Sequence, residues 1–218
     1  MTRAVFFDAA GTLFHLPRGV GWHYRGVALR HGADLDEAEL NRAFRRAWKD
    51  AAAPHETEGA RPDDDRGWWQ ALVGRTLDEC GGAPELNRDA YFSELWSEFT
   101  RPGIWELYPE TLDVLTALKG RAQLAVISNF DSRLRTILAH LGIAECFDDI
   151  VISREIGADK PSPRIFSAAL ARANVCAADA LHVGDEPEAD WQGAERSGIR
   201  ACRLQRPDNS LRGVLELL

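Results

Sequence analysis

The second half of the chain alternates between short apolar segments and longer segments with helical spacing. Strands that are separated by helices of this length pair in parallel and are covered by helices on both faces. An apolar segment near the start of the chain, RAVFF at residues 3–7, predicts the first strand of the same sheet. We therefore expect an α/β fold whose core is a doubly wound, Rossmann-like parallel sheet. The remaining predicted strands are QLAVIS (123–128), DDIVIS (148–153), ALHVG (180–184) and IRACRL (199–204).

Residues 16–105, which follow the first strand, show helical spacing and no strand pattern. In DLDEAELNRAFRRAWKDAA, at residues 34–52, apolar residues recur every three or four positions, and Asp34 or Asp36 is placed to cap the helix. Six of the seven tryptophans fall in this region, and we expect most of them to pack between its helices. We predict a core domain made of residues 1–15 and 106–218, with residues 16–105 inserted as an all-helical cap.

The composition restricts the partners of this chain. The net charge of -8 and the pI near 5.3 argue against a basic face for nucleic acid or anionic lipid. No apolar run approaches the roughly 20 residues that span a bilayer, and the N-terminal MTRAVFFD lacks the order of a secretory signal. The four cysteines include no C-x-x-C pair. We expect a cytoplasmic protein that binds a small molecule and neither nucleic acid nor a membrane, and the oligomeric state stays open.

Polar residues follow the predicted strands of the core. In open parallel sheets, ligands bind beyond the carboxyl ends of the strands, so residues at these positions are expected to surround one crevice. They bring together carboxylates, a hydroxyl and an amine, which is a combination suited to a metal ion and a phosphoryl group. In chain order they are Asp8, Ser128, Asn129, Lys160, Asp185 and Asp190.

The types of these residues suggest a chemistry. Asp8 and Asp185 offer hard oxygen ligands of the kind that Mg²⁺ prefers. Ser128 can donate its hydroxyl to a phosphoryl oxygen, and Lys160 supplies a compact positive charge for the same group. A carboxylate in this setting can attack phosphorus and form an aspartyl-phosphate.

Four segments resemble the motifs of the haloacid dehalogenase-like (HAD) hydrolases. The segments occur in the family's order, and the helical region has the place of the cap that subclass I members insert after the first motif. The resemblance implies that Asp8 is the nucleophile and a metal ligand, and that Lys160 bridges nucleophile and substrate. The segments are FFDAAGTLF (6–14), VISN (126–129), GADKPSPRIF (157–166) and HVGDEPEADWQGA (182–194).

The same resemblance implies roles for the other polar residues. Asp185 and the backbone carbonyl of Ala10 would bind Mg²⁺, the implied cofactor, and Asp190 would support that site from behind. Ser128 and Asn129 would bind the phosphoryl or carboxylate group of the substrate. Thr12 would support the first loop.

Ala10 departs from the pattern of the family's phosphatases, which usually carry a second aspartate two residues after the nucleophile. That aspartate protonates the leaving group and then activates water. Positioned acid–base catalysis typically contributes about 10²–10⁴-fold, so we expect a slow phosphatase, least impaired on aryl phosphates. His15, His23 and Glu188 are candidate replacements by nearness in sequence only.

Two other functions remain open. Haloacid dehalogenases carry DAYGTLF, which is close to DAAGTLF here, and they need no metal. Phosphonoacetaldehyde hydrolase has alanine at this place but uses a cap lysine, and Lys49 is the only lysine in the predicted cap. Alternatively, a chain that keeps the ligands of Mg²⁺ and phosphate but lacks the acid would bind a phosphorylated metabolite or a partner without turnover.

Overall fold

The computed structural model describes residues 2–218, and its contacts divide the chain into two compact units. The core unit comprises the described residues up to His15 together with His55–Asp64 and Glu106–Leu218. The helical unit comprises Leu16–Pro54 and Asp65–Trp105.

The core unit contains a five-stranded sheet in which every strand runs parallel to its neighbours. Its strand order is β5-β4-β1-β6-β7, so the first strand is central and its neighbours are the second and fourth of the five in chain order. β2 and β3 form a separate two-stranded antiparallel ladder at the ends of the insertion. This architecture confirms the predicted Rossmann-like α/β core. The strands are β1 (Ala4–Phe7), β2 (Phe14–His15), β3 (Glu106–Leu107), β4 (Gln123–Ser128), β5 (Asp149–Ile152), β6 (Ala180–Gly184) and β7 (Arg200–Arg203).

The central strands are apolar because helices cover both faces of the sheet. All four residues of β1 and all five of β6 are buried, and β4 is buried from Leu124 onward. Strands buried on both faces show continuous apolar runs rather than alternation, which is the pattern that the sequence displays. The α-helices are α1 (Gly19–Arg30), α2 (Glu37–Asp50), α3 (Arg66–Glu79), α4 (Arg88–Glu98), α5 (Thr111–Leu118), α6 (Arg133–His140), α7 (Ser153–Ile156), α8 (Pro163–Ala173) and α9 (Gly193–Arg196).

Several shorter turns complete the core unit. A π-helical turn, Pro187–Gln192, precedes α9, and 3₁₀ turns span Ala144–Cys146 and Ala177–Asp179. A 3₁₀ helix, Leu211–Glu216, follows β7. No helix among residues 2–218 is long and apolar enough to cross a membrane.

The helical unit consists of α1–α4, packed around a small apolar core of its own. Asp36 caps α2, since its carboxylate accepts a hydrogen bond of 2.7 Å from the Glu39 amide. The sequence predicts an all-helical region here but gives no bounds for α1, because this helix contains three glycines and its N-cap residue, Arg18, makes no side-chain capping bond. His23 and Tyr24 lie on this helix and are buried within the unit.

Residues 55–64, which we call the tether, belong to a different unit from the one predicted for them from the sequence. Their position between two predicted cap helices indicates the cap, whereas their contacts group them with the core unit. The Thr57 amide donates to the Gly157 carbonyl, and the Arg61 amide donates to the Arg154 carbonyl, both at 2.9 Å. A polar segment without helical or strand periodicity gives no sign in the sequence of such backbone pairing.

Candidate active site

Asp8 follows directly after the central strand β1. Its amide donates a 2.8 Å hydrogen bond to the Val183 carbonyl of β6, which continues the strand pairing for one more residue. The side chain is almost buried, with the whole residue 8 % exposed. β4 and β6 pair with β1 on either side, so the residues that follow these strands meet at Asp8.

The ammonium group of Lys160 is the centre of the polar network. It lies 2.7 Å from Oδ1 of Asp8 and 2.6 Å from Oδ1 of Asp190, and it donates to the Ile127 carbonyl at 2.9 Å. Each of the three donors of the ammonium therefore has an acceptor. The backbone of Lys160 is fixed by Asn129, whose Oδ1 accepts from the Lys160 amide at 2.7 Å and whose Nδ2 donates to the Lys160 carbonyl at 2.9 Å.

Asn129 therefore joins the loop after β4 to the loop that carries Lys160. The family resemblance implies that this side chain binds the substrate, and in the structure it bonds twice to the Lys160 backbone. One N–H of the amide remains for another acceptor. Ser128, the preceding residue, is buried and points its hydroxyl toward Asp8 Oδ1 at 3.4 Å.

Asp190 supports Lys160 from behind. Its Oδ1 accepts from Lys160 and lies 2.9 Å from Nε2 of His182, while its Oδ2 accepts from the Glu186 amide at 3.0 Å. His182 is fully buried in β6 and packs edge-on against Phe166. His182 is not among the site residues predicted from the sequence. A histidine within an otherwise apolar, buried strand is the signal that could have identified it.

Asp185, which follows β6, lies beside the loop after β1. The hydroxyl of Thr12 donates to Asp185 Oδ1 at 3.2 Å. Thr12 is fully buried, so its hydroxyl holds a candidate metal ligand rather than a substrate. Gly11 has a φ of +94°, and a Cβ there would overlap the Asp185 carboxylate, so both backbone conformation and space require glycine.

Burial raises the pKa of two carboxyl groups in this site. The pKa of Asp8 rises to about 6 because burial, together with the carboxylates of Asp190 and Asp185, outweighs the opposing effect of Lys160. The pKa of Asp185 also rises to about 6, through burial and its nearness to Asp190. Burial also acts to raise the pKa of Asp190, but the Lys160 ammonium and the bond with His182 hold it below its usual range.

The three carboxylates fit a divalent cation. Asp8, Asp185 and Asp190 each place one oxygen within 4.8 Å of the others. Both oxygens of Asp190 already have hydrogen-bond partners, so Asp8 and Asp185 are the better candidate ligands. A cation of the Mg²⁺ type would offset the excess of carboxylates over the single ammonium group of Lys160.

The turn after Asp8 leaves one backbone carbonyl, that of Ala10, without a backbone donor among residues 2–218. The Ala9 carbonyl accepts the amides of Thr12, Leu13 and Phe14, whereas no backbone amide of residues 2–218 donates to the Ala10 carbonyl in the turn. This geometry is consistent with a ligand role for the Ala10 carbonyl, which does not depend on the side chain.

The candidate proton donors lie in different surroundings. His15, in β2, stacks on Tyr108 with ring centroids 4.6 Å apart. His23 lies in the helical unit, 3.7 Å from Glu98, and burial lowers its pKa. Glu188 is exposed in the π-helical turn. None of the hydrogen bonds and ion pairs found among residues 2–218 joins any of the three to Asp8.

A family model for haloacid dehalogenase-like hydrolases matches residues 2–198. The haloacid dehalogenase-like hydrolase domain-containing protein 3 of Danio rerio is 37 % identical over 94 % of this chain and 86 % of its own length. A phosphoserine phosphatase of Thermus thermophilus is 37 % identical over 60 % of this chain and 51 % of its own.

Two solved structures share the fold at low sequence identity. The HAD hydrolase YfnB of Bacillus subtilis, solved bound to magnesium, superposes with a TM-score of 0.80 at 19 % identity and covers 100 % of this chain and 98 % of its own. The defluorinating L-2-haloacid dehalogenase Rha0230 has a TM-score of 0.77 at 21 % identity, over 94 % of this chain and 82 % of its own. At these identities the likeness concerns the fold and does not choose between phosphatase and dehalogenase.

Proposed function

Because the chain belongs to the haloacid dehalogenase-like hydrolases, we propose that it is a Mg²⁺-dependent phosphatase of small phosphorylated molecules, with Asp8 as its nucleophile. The observation that carries the proposal is the arrangement around Asp8, where the Lys160 ammonium bonds Oδ1 of Asp8 and the half-buried Asp185 carboxylate belongs to the same cluster of oxygens. A lysine and a further carboxylate beside the nucleophile suit a transfer of phosphoryl groups with a metal present.

The first step would be an attack by a carboxylate oxygen of Asp8 on phosphorus. Lys160 and Ser128 both bond Oδ1, so Oδ2 keeps its lone pairs for another partner. Formation of the new O–P bond breaks the ester O–P bond and yields an aspartyl-phosphate and an alkoxide or aryloxide. Lys160 is placed to hold charge on the transferring group while Asp190 and the Ile127 carbonyl fix its position.

Bound Mg²⁺ would stabilise negative charge on the phosphoryl oxygens, with Asp8, Asp185 and the Ala10 carbonyl as its ligands. The chain's own residues would orient these ligands. Thr12 holds Asp185 by a hydrogen bond, and the glycine conformation at Gly11 allows the loop to approach the carboxylate.

The leaving oxygen must take its proton from solvent or substrate, since Ala10 has no acidic group. Water then attacks phosphorus of the aspartyl-phosphate, loses a proton to solvent and releases phosphate while the Asp8 carboxylate is restored. Without a positioned base this second step is slow, which predicts that dephosphorylation of Asp8 limits turnover.

Haloacid hydrolysis is the less favoured function. The attack on carbon by dehalogenases needs no metal, whereas Asp185 here is a half-buried carboxylate with a raised pKa, and Thr12 is its one side-chain hydrogen-bond donor among residues 2–218. An anionic haloacid would add further negative charge to this cluster, and no dication would offset it.

The decisive experiment is phosphate release from p-nitrophenyl phosphate with Mg²⁺, measured for wild type and Asp8→Asn in parallel. We expect slow turnover that requires Mg²⁺ and is lost in Asp8→Asn. Turnover that survives Asp8→Asn would contradict the proposal. If phosphate release is absent and halide is released from a 2-haloacid without metal, the protein is a dehalogenase. Binding of phosphate esters without either reaction would identify a binding protein.

A further inference from the structure

The tether, residues 55–64, contacts both loops that carry candidate catalytic groups. Glu56 and the Thr57 carbonyl accept hydrogen bonds from Arg164. Arg164 lies at the start of α8, the helix that follows the loop carrying Lys160. Asp64 accepts from the Ser132 amide at 3.0 Å, in the loop that begins with Asn129. A segment that enters from one part of the helical unit and returns to another is therefore attached to the core at several points.

The contact between tether and core is close enough to require a glycine. Gly157 has a φ of +74°, and a Cβ at this position would overlap the Gly59 carbonyl and the hydroxyl of Thr57. The Thr57 amide also donates to the Gly157 carbonyl at 2.9 Å. The tether therefore lies directly on the start of the loop that leads to Lys160.

Arg61 is the buried anchor of the tether. The residue is 5 % exposed, and its guanidinium lies 3.0 Å from Asp159 Oδ2 and 3.3 Å from Asp159 Oδ1. It also lies 3.3 Å from the hydroxyl of Ser153, the first residue of α7. An arginine that is shielded from water and paired with a carboxylate holds its partner in a defined geometry. Loss of either residue of the pair would leave a buried charge uncompensated.

Asp159 directly precedes Lys160 in the chain. Asn129 bonds both the amide and the carbonyl of Lys160, so the backbone of this residue is fixed from one side by Asn129 and from its N-terminal side by the Arg61–Asp159 pair. Movement of Asp159 would displace the Lys160 amide, and the ammonium group of Lys160 would lose its alignment with Asp8 and Asp190.

We propose that Arg61 is a positioning residue that, through its ion pair with Asp159, makes the alignment of Lys160 depend on the docking of a segment supplied by the inserted helical region. The structural part of this proposal stands without any assumption about the reaction, and its catalytic part rests on the proposed function. Lys160 would be well ordered only while the tether is docked.

The test compares Arg61→Gln, Arg61→Lys, Asp159→Asn and the double variant Arg61→Gln/Asp159→Asn with wild type. Arg45→Gln is the matched control, since Arg45 is an exposed arginine on α2. Amide hydrogen exchange, followed by mass spectrometry, is measured in peptides that cover residues 157–162 and in peptides that cover β1. Two substitutions at Arg61 and one at its partner keep the test informative if one variant does not fold.

We expect exchange at residues 157–162 to rise about tenfold or more in both single neutral variants, while exchange in β1 stays near the wild-type rate. The double variant should show no larger rise than the single variants, because the ion pair is already lost in each of them and the double variant leaves no charge unpaired. Arg61→Lys should show a smaller rise, and Arg45→Gln none. Unchanged exchange at residues 157–162, or an equal rise throughout the core, would overturn the proposal.

Kinetics supply a second readout if the wild type turns over an aryl phosphate. Misalignment of Lys160 predicts a fall in kcat of about tenfold or more with KM little changed in Arg61→Gln. A fall in kcat/KM that is wholly due to KM would contradict positioning of Lys160. If the wild type has no phosphatase activity, the proposed function fails, and the exchange measurement still decides the role of Arg61.

Discussion

The ammonium group of Lys160 lies 2.7 Å from Oδ1 of Asp8, and both residues are buried. The lysine is 4 % exposed and also contacts Asp190, so one cation is shared between two carboxylates in a site from which water is largely excluded. The pair therefore serves stability and chemistry together, and its loss should affect both.

Lys160→Met should abolish measurable phosphate release, with a loss of at least about 10²-fold, because no other cationic side chain in the described part of the chain pairs with Asp8. The same change should lower the free energy of unfolding by about 3 kcal/mol, since two buried carboxylates lose their partner. Urea denaturation and a phosphate assay measure the two effects. Lys119→Met, at an exposed lysine, is the control. A variant as active as wild type would exclude Lys160 from the reaction.

Ala10→Asp should raise kcat on alkyl phosphates by about 10²-fold or more, because it supplies the missing acid and base. With p-nitrophenyl phosphate the rate of the first step, transfer of the phosphoryl group to Asp8, should rise less, since that leaving group needs little protonation. Ala10→Asn, which has a similar shape but no exchangeable carboxyl proton, should give no gain. A folded Ala10→Asp protein that is no faster than wild type would refute this account of Ala10.

The stability of the metal-free protein should fall as the pH rises from about 4 to about 6. Asp8 and Asp185 have pKa values near 6 in the folded protein and an ordinary value of 3.8, so the folded state binds protons more tightly. Their stabilising contribution is complete below about pH 4 and is lost as the pH passes through about 6.

Chemical denaturation in the presence of a chelator, for wild type and Asp185→Asn, measures this contribution. The variant should show a shallower fall over the same pH range, and the comparison removes the effects of groups common to both proteins. Added Mg²⁺ should raise the melting temperature of wild type at pH 7 and have much less effect on Asp185→Asn. Parallel pH profiles for the two proteins would contradict the raised pKa of Asp185.

Gly11→Ala should be strongly destabilising and should weaken the Mg²⁺-induced rise in melting temperature, because the new Cβ meets the Asp185 carboxylate. Gly103→Ala separates conformational strain from overlap: Gly103 has a φ of +81°, but nothing lies within 4 Å of its added Cβ. Strain alone costs about 1–2 kcal/mol. If Gly11→Ala and Gly103→Ala lower the free energy of unfolding equally, the overlap with Asp185 adds nothing to the conformational strain.

The sequence predicted the core well where local pattern and burial agree. The bounds of β4 and β6 are those expected, because apolar runs buried on both faces leave little choice of register or length. Asp34 and Asp36 were the two candidate caps, from their positions before an amphipathic helix, and the structure shows Asp36 in this role. The meeting of Asp8 with Lys160 was expected from the rule that ligands bind at the carboxyl ends of parallel strands.

Features that depend on tertiary contacts were not predictable in the same way. The bounds of α1 could not be predicted because of Gly19, Gly21 and Gly26, and the helix forms because its apolar face packs against the other helices of its unit. The docking of Arg61 on Asp159 joins residues nearly a hundred positions apart, and a polar loop sequence carries no periodicity that reports it. Long-range pairs of this kind follow from the completed fold.

The two residues of β2 pair with the two of β3, so the chain leaves the core and returns to it at neighbouring points. An insert joined in this way could in principle be exchanged for another. Any replacement, whatever its length, would need only to begin and end at the same short β2–β3 ladder. The tether changes that conclusion for this chain. It is a third stretch of polypeptide that belongs to the core but is encoded within the insert, so a graft of a foreign insert would remove part of the core. A chimera made from this protein must carry the tether with it.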